Sequence, residues 1–407
     1  MGILNPRAYR LTFTRRYETI VLFVRFPLVA CFFSMPFETI DLRSSSTGME
    51  DAVCRTVDAL QDGQLVVLPT ETVYGLAALA SDDIAVRRLI ELKGRREGHP
   101  LPLAISGLVS LGDYVPNLDG LALRLARRCW PGPVSLVLDV SDRCSEIYHL
   151  PEFVRKTVVL NNCVSFRVPN HPLTLTALGE LNEPVVLTSA NLTGQPEATT
   201  ATEIIRSLGN GIDLLIDDGP TAVAKPSATV AVSEDGYTIL REGAVKKETI
   251  DRLTARIILF VCTGNTCRSP MAEKICEMLL AERLRCTVDQ LEEHGFVVMS
   301  SGLSAGLDVS ASRHAVETLR SRGLDLSKHG SQQINEMQVR FADHIFALTR
   351  GHREAILSYW PGSDTRLCVL RTDGGDINDP IGGNLTVYEE CANHIEREIK
   401  KRLDEIL

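Results

Sequence analysis

Residues 261–270 read VCTGNTCRSP, a short loop that follows an apolar run and leads into a helix-forming segment. Five residues separate Cys262 from Arg268. A loop so placed turns its backbone N–H groups, and those of the first helical turn, toward one point, which makes an anion site. Arg268 can fork two oxygens of a phosphoryl group. The same positive surroundings favour a thiolate at Cys262, a nucleophile beneath the phosphorus. Gly264 lets the backbone turn inward. Asn265 tolerates a left-handed conformation and can brace the loop, and the Ser269 hydroxyl can steady the sulfur. A lone cysteine is ordinarily a small buried apolar side chain. Here strand, glycine, arginine and helix start coincide, although such a loop could also bind phosphate without turnover. Turnover needs a proton for the leaving group, and Asp379 in DINDPIGG is the candidate acid, an Asp-Pro step being otherwise a turn.

The elements that must position this loop alternate. Arg256–Val261 reads as a buried strand, with a helix from Pro270 to Leu284 after it. Phe296–Met299, His344–Leu348 and Leu367–Leu370 read as strands, Ser312–Arg322, Arg350–Ser358 and Thr386–Leu403 as helices. That order predicts a doubly wound parallel sheet over residues 256–407. Before it, helices are expected at Met49–Gln61 and Asp83–Lys93. Strands are expected at Gln64–Leu68, Val134–Val140, Val164–Val168, Val185–Leu187 and Leu214–Ile216. Thr229–Val232 and Tyr237–Leu240 flank Glu234-Asp235-Gly236, a hairpin signal. Residues 45–245 thus read as a mixed, twisted α/β domain. Residues 246–255, short and charged, read as a linker.

The chain has 407 residues, room for two or three domains. A net charge of −9 excludes a uniformly basic nucleic-acid-binding surface, so any nucleotide contact must use local clusters. The 11 cysteines lack C-x-x-C pairs, which argues against structural zinc and for reduced thiols in a cytoplasmic setting. Residues 1–44 read as a disordered extension. Arg15 and Arg16 precede the apolar run Ile20–Phe33, but Arg25 and Pro27 interrupt it, so it is too short and broken to span a bilayer. Translation starting at Met35 would account for the extension.

The carboxy-terminal half resembles the low-molecular-weight protein-tyrosine phosphatase family. The matching residues are Cys262 to Pro270, Ser301-Gly302, His329 with Ser331, Asp343 and Asp379-Pro380. The resemblance implies Cys262 as nucleophile, Arg268 as phosphate clamp, Asp379 as general acid and then base, and a phosphocysteine intermediate. It also suggests that Cys267 can protect Cys262 as a disulfide, packing being the equal alternative. Tyrosine-specific members usually carry aromatic residues after the Asp-Pro; Ile381-Gly382-Gly383 stands there instead. Thr266 replaces a larger aliphatic residue of those members. Both features resemble the bacterial protein-arginine phosphatases of the family, so phosphotyrosine and phosphoarginine both stand as substrates on a phosphoprotein. The same fold hosts arsenate reductases, but no downstream redox cysteine pair follows Ser331.

In the amino-terminal half, PTETVYGL (69–76), LKGRREGHPLPL (92–103), WPGPVSLVL (130–138), FRVPNHP (166–172), LTSANLTG (187–194), PSATV (226–230) and LREG (240–243) occur in this order. Alone, each is ordinary; the cations at 93–96 suit a helix C-terminus. Together they resemble the YrdC-like threonylcarbamoyl-AMP synthase family. The resemblance implies that L-threonine, bicarbonate or CO2, and ATP give L-threonylcarbamoyl-AMP and pyrophosphate for a tRNA modification completed by separate transfer machinery. Mg2+ would arrive with ATP, and no cofactor would be tightly bound. Lys93, Arg95 and Arg241 would neutralise the triphosphate, and Arg167 would fork the threonine carboxylate. Thr70, Thr72 and Tyr74 would line the amino-acid pocket, with Ser135, Thr188, Ser189, Asn191 and Ser227 contacting nucleotide or threonine. Ser227-Ala228-Thr229 departs from the family's Ser-Thr-Val, either by loss of a hydroxyl or by a shift of one residue. Two rivals stand beside this: a catalytically silent module that binds nucleotide or double-stranded RNA, and a carbamoyl-transfer module that normally comes with segments not seen here. A membrane partner is not expected.

Overall fold

The computed structural model describes residues 37–44, 48–95, 99–118, 120–233 and 235–407. The apolar run Ile20–Phe33 and Arg96 lie outside them. Ten strands form the amino-terminal sheet: β1 (Glu38–Asp41), β2 (Val66–Leu68), β3 (Gly75–Leu79), β4 (Leu103–Ala104), β5 (Val134–Asp139), β6 (Cys163–Arg167), β7 (Val185–Ser189), β8 (Leu214–Asp217), β9 (Ala228–Ser233) and β10 (Gly236–Arg241). Their order is β1-β8-β2-β3-β7-β4-β6-β5-β9-β10, with parallel and antiparallel neighbours mixed. The β9–β10 hairpin pairs Gly236 with Ser233. Helices α1 (Met49–Gln61), α2 (Asp83–Lys93), α3 (Leu108–Tyr114), α4 (Gly120–Cys129), α5 (Glu152–Val158), α6 (Pro172–Leu181) and α7 (Ala201–Leu208) cover this sheet. Val66 and Leu68 pack into one apolar cluster and Val67 into another. Both faces of β2 are therefore buried, which is why it reads as an unbroken apolar run.

Four parallel strands form the second sheet: β11 (Arg256–Cys262), β12 (Phe296–Gly302), β13 (His344–Ala347) and β14 (Leu367–Val369), in the order β12-β11-β13-β14. The helix before β11, α8 (Lys247–Thr254), packs on α4, while around this sheet lie α9 (Arg268–Leu284), α10 (Arg313–Arg320), α11 (Glu336–Phe341), α12 (Arg350–Tyr359) and α13 (Leu385–Ile406). Ile258 and Phe260 face the cluster under α9 and α13; Leu259 and Val261 face the one under α11 and α12. β11 lies between neighbours reached by chain crossovers in opposite directions, so the crevice beyond its carboxyl end is the natural ligand site of such a sheet.

Two boundaries differ from expectation. Glu38–Asp41 is not part of a structureless extension: it pairs in parallel with Leu214–Asp217 at the sheet edge. Residues 247–254 are not an open linker but a helix, because Ile250 is fully buried in the amino-terminal core. No helix among the described residues is long and apolar enough to cross a membrane.

The two sheets meet through α4. Arg124, Arg127 and Arg128 share one face of that helix, at i, i+3 and i+4. All three reach Asp343, at 3.1, 2.7 and 2.6 Å respectively. Arg128 also donates to the Leu253 and Ala255 carbonyls at 2.6 Å each and to the Phe341 carbonyl at 3.0 Å, and Arg124 donates to the Thr254 carbonyl at 2.9 Å. These carbonyls end α8 and α11, where a helix leaves acceptors unpaired and favours cations.

Candidate active sites

Cys262 ends β11 and α9 begins at Arg268, so the loop between them spans five residues. Cys267 at the helix N-cap makes no side-chain cap bond, which leaves the first N–H groups for an anion. Asn265 takes the left-handed conformation expected of it, at φ 52°. Its side-chain amide donates to Ser269 and Ser300, each at 2.9 Å, and its carbonyl oxygens are held by Gln332 and His329. Gly302 is required behind the loop: a Cβ there would sit 2.5 Å from the Thr263 carbonyl oxygen. The Cys262 sulfur, buried, lies 3.0 Å from the Ser269 hydroxyl and 3.3 Å from the Asn265 N–H, two groups able to stabilise a sulfur anion. Arg268 and Asp379 form an ion pair at 2.6 Å, with the arginine buried and the carboxylate half in solvent. The residues expected as nucleophile, clamp and acid thus lie at one place. Cys267 is a free thiol, as is Cys262, and packs 3.4 Å from the Tyr388 hydroxyl. Thr266 is half-buried, with its hydroxyl 3.7 Å from the Cys267 sulfur.

One neighbour was not legible from the motif. His352, on α12, lies 2.9 Å from the Thr263 hydroxyl, and its other ring nitrogen is buried without a partner among the described residues. Burial, and then the positive charge of Arg268, pull its pKa down to about 4. A histidine held neutral in the folded state and freely protonated when unfolded makes stability fall with pH between the ordinary value of 6.5 and about 4. Acid unfolding of His352→Asn is therefore expected to be shallower than that of wild type in this window, and equal above pH 7. Superimposable acid titrations would show that His352 is not buried in its neutral form.

The amino-terminal sheet holds a cavity of about 450 Å³, lined by Thr70, Tyr74, Arg95, Ser135, Arg167, Thr188, Ser189, Ser227 and Arg241 of the expected residues. They converge because β2, β3, β5, β6, β7 and β9 are close neighbours in one sheet. Arg95 is held by the His99 and Pro100 carbonyls at 3.1 and 2.9 Å. Arg241 donates to the Ser227 carbonyl at 2.8 Å, and the Ser227 and Ser135 hydroxyls stand 3.0 Å apart. Ala228 is fully buried while Ser227 and Thr229 both line the cavity, so strand alternation places two hydroxyls around the departure from the family pattern.

Three expected residues stand behind the wall instead. The Lys93 ammonium donates to the Ser189 carbonyl at 2.5 Å and to the Asn191 carbonyl at 2.8 Å, and lies 3.3 Å from the Asn191 side-chain oxygen. Burial, then the charge of Arg95, lower its pKa to about 8. Lys93 and Asn191 brace the loop after β7 rather than face the cavity. Thr72 accepts from Arg167 at 2.7 Å. Glu71, passed over in the sequence although it lies inside PTETVYGL, binds Arg167 at 2.9 Å. Arg167 Nε donates to the Gly132 carbonyl at 3.3 Å and Nη2 to Glu71 and Thr72, and the residue lines the cavity.

A thiol at the end of a central parallel strand, with a strand–loop–helix anion site and a facing Asp-Pro, defines a phosphatase-class domain, joined here to a mixed-sheet domain with a cationic cavity. The chain belongs to two families: residues 58–243 match the Sua5/YciO/YrdC family, described as telomere recombination, and residues 257–407 match the low molecular weight phosphotyrosine protein phosphatases. A threonylcarbamoyl-AMP synthase of Bacillus subtilis is 30% identical over 54% of this chain, which spans only 61% of that relative's length. A Mycobacterium tuberculosis protein named putative threonylcarbamoyl-AMP synthase is 31% identical over 53% of this chain and 92% of its own. A protein-arginine-phosphatase of Geobacillus stearothermophilus is 34% identical over 37% of this chain and 95% of its own.

Proposed function

We propose that the chain is a bifunctional enzyme. The amino-terminal half joins L-threonine, bicarbonate and ATP into L-threonylcarbamoyl-AMP and pyrophosphate, supplying a tRNA modification through separate transfer machinery. The carboxy-terminal half hydrolyses phosphoprotein through a phosphocysteine. The observation that supports this reading is that each half gathers groups the chemistry needs: Cys262, Arg268 and Asp379 at one loop, and Arg95, Arg167 and Arg241 around one cavity.

In the first half the chemistry is positioning and charge neutralisation. Arg95 and Arg241 face the triphosphate, whose Mg2+ comes as part of the substrate. Arg167 presents its guanidinium to the threonine carboxylate. The threonine amine condenses with bicarbonate, losing water, to give a carbamate, whose oxygen then attacks the α-phosphorus and displaces pyrophosphate. In the second half the Cys262 sulfur attacks phosphorus while Asp379 protonates the leaving group. Water then attacks the phosphocysteine, with Asp379 taking its proton.

Phosphoarginine is the favoured phosphatase substrate. No aromatic side chain follows Pro380 until Tyr388, and Tyr388 is buried against Cys267, so no phenyl-stacking wall is built there. The relatives named protein-arginine-phosphatase support the same reading.

The test measures both halves of the full chain. Threonine-dependent pyrophosphate release from ATP is expected; its absence would favour the silent nucleotide- or RNA-binding module. kcat/KM on phosphoarginine peptides is expected to exceed that on phosphotyrosine peptides, and Thr266→Ile to collapse or invert the ratio. An unchanged phosphotyrosine preference in both proteins would overturn the arginine assignment.

Asp379→Asn separates two roles of one carboxylate. It should lower phosphatase kcat by about 10²–10³-fold through loss of the acid. It should also tighten inhibition by vanadate, because Asp379 no longer competes with the oxyanion for Arg268. Weaker vanadate inhibition would show that the ion pair pre-organises the clamp instead.

A further inference from the structure

Arg340 belongs to α11, on the phosphatase side, yet its guanidinium serves the other half. Its Nε donates to the Arg127 carbonyl at 2.9 Å and its Nη2 to the Trp130 carbonyl. The Arg127 carbonyl would ordinarily accept the N–H four residues on, but that residue is Pro131, which has none. Arg340 supplies the missing donor.

The turn it holds is the one that anchors Arg167. Gly132 accepts from Arg167 Nε at 3.3 Å, and its own N–H donates to the Val168 carbonyl at 2.9 Å, so it holds both that arginine's side chain and the backbone just after it. The Trp130 indole donates to the Val134 carbonyl at 2.7 Å, and Ser135, next along, lines the cavity. The turn has no slack: a Cβ at Gly132 would lie 2.4 Å from the Cys129 carbonyl oxygen. Inside, the turn is fixed by Arg167 and the indole; outside, by Arg340.

We propose that Arg340 is a positioning residue of the amino-terminal cavity. The phosphatase half completes the amino-acid subsite of the other half by fixing the turn at residues 129–134 and, through Gly132, the guanidinium of Arg167. The two domains then share one chain because one of them carries part of the other's support. This rests on the assignment of Arg167 to the threonine carboxylate.

The experiment is calorimetric titration of the full chain with L-threonine and, separately, with ATP, for wild type, Arg340→Ala and Arg340→Lys. Arg340→Ala should weaken threonine binding about tenfold, the scale of one lost hydrogen-bonded support. ATP affinity and kcat/KM for p-nitrophenyl phosphate should stay within about twofold of wild type. Arg340→Lys, which can reach one carbonyl but not fork two, should recover part of the threonine affinity. Should the alanine variant fail to fold, the lysine variant carries the same comparison with a smaller loss. Equal loss of threonine and ATP affinity would show general loosening and overturn the proposal, as would threonine binding unchanged in Arg340→Ala. Wild-type protein that binds no threonine would overturn the synthase assignment and this proposal together, which separates the two failures.

Discussion

Cys262→Ser is expected to abolish phosphatase turnover while leaving the chain folded and its synthase half untouched. The physical case is local. The Cys262 sulfur accepts the Asn265 N–H at 3.3 Å and stands 3.0 Å from the Ser269 hydroxyl, an arrangement suited to an anionic sulfur. A serine hydroxyl there keeps its proton at neutral pH. The two imidazoles that touch the loop, His352 at the Thr263 hydroxyl and His329 at the Asn265 carbonyl, do not bond position 262, so neither offers a base to remove that proton. kcat on p-nitrophenyl phosphate should therefore fall by about four orders of magnitude or more, the scale seen when a nucleophile is removed. Arg268 and the loop N–H groups persist, so inorganic phosphate should still inhibit or bind. Threonine-dependent pyrophosphate release serves as the internal control, since its cavity belongs to a different sheet. Residual turnover within about tenfold of wild type would mean that Cys262 is not the nucleophile.

Asp343→Ala should produce a large loss of stability, because it removes the common partner of three arginines at the contact of the two sheets. Asp343 is the common partner of Arg124, Arg127 and Arg128, whose side chains are 14%, 12% and 0% exposed. It also accepts the Ile257 N–H at 2.9 Å, at the start of the strand that ends in Cys262. Removing it leaves three poorly solvated guanidiniums without a counter-charge, a loss of about 3–5 kcal/mol for a broken buried pair. Urea titration followed by tryptophan fluorescence checks this, both tryptophans lying within or near the two halves' contact region or α12. A change below about 1 kcal/mol would show that solvent or the backbone carbonyls suffice to hold the arginines.

The pH dependence has a definite sign. Burial acts to raise the Asp343 pKa, but the charges of Arg128 and Arg124, the Ile257 N–H and Arg127 outweigh it and hold the carboxyl below its ordinary value of 3.8. A carboxyl whose folded pKa is depressed contributes fully above its unfolded value and loses that contribution as pH falls toward the folded one. The difference between wild type and Asp343→Ala should thus be constant near neutrality and shrink below about pH 4.

The phosphate loop was legible in the sequence because its parts are neighbours. A strand, five loop residues and a helix start fix the relative places of Cys262, Asn265, Arg268 and Ser269 with no help from distant chain. Asp379 is different: an Asp-Pro step alone reads as a turn, so its expected role came from the family resemblance, and only the fold brings it to Arg268. The amino-terminal cavity was legible as a set of residues but not as a geometry. Thr70, Ser135, Arg167, Thr188 and Ser227 meet only because their strands are ordered side by side in a mixed sheet, and nothing local sets that order.

The misreadings share this cause. Lys93 was expected to neutralise the triphosphate, yet its ammonium turns toward the Ser189 and Asn191 carbonyls, which a distant loop places there to receive it. Residues 246–255 read as a linker and lie between the two family matches, but only the fold shows that 247–254 are helical, with Ile250 buried in the amino-terminal core. The sequence by itself determined the two families and the phosphate loop with its expected nucleophile and clamp, since these follow from residue types at short spacing. The tertiary structure alone decided which cations face a ligand and which brace a wall, and it alone joined Arg340 and Asp343 to α4. Those pairings span more than 200 residues of chain, and such contacts are set by packing rather than by local preference.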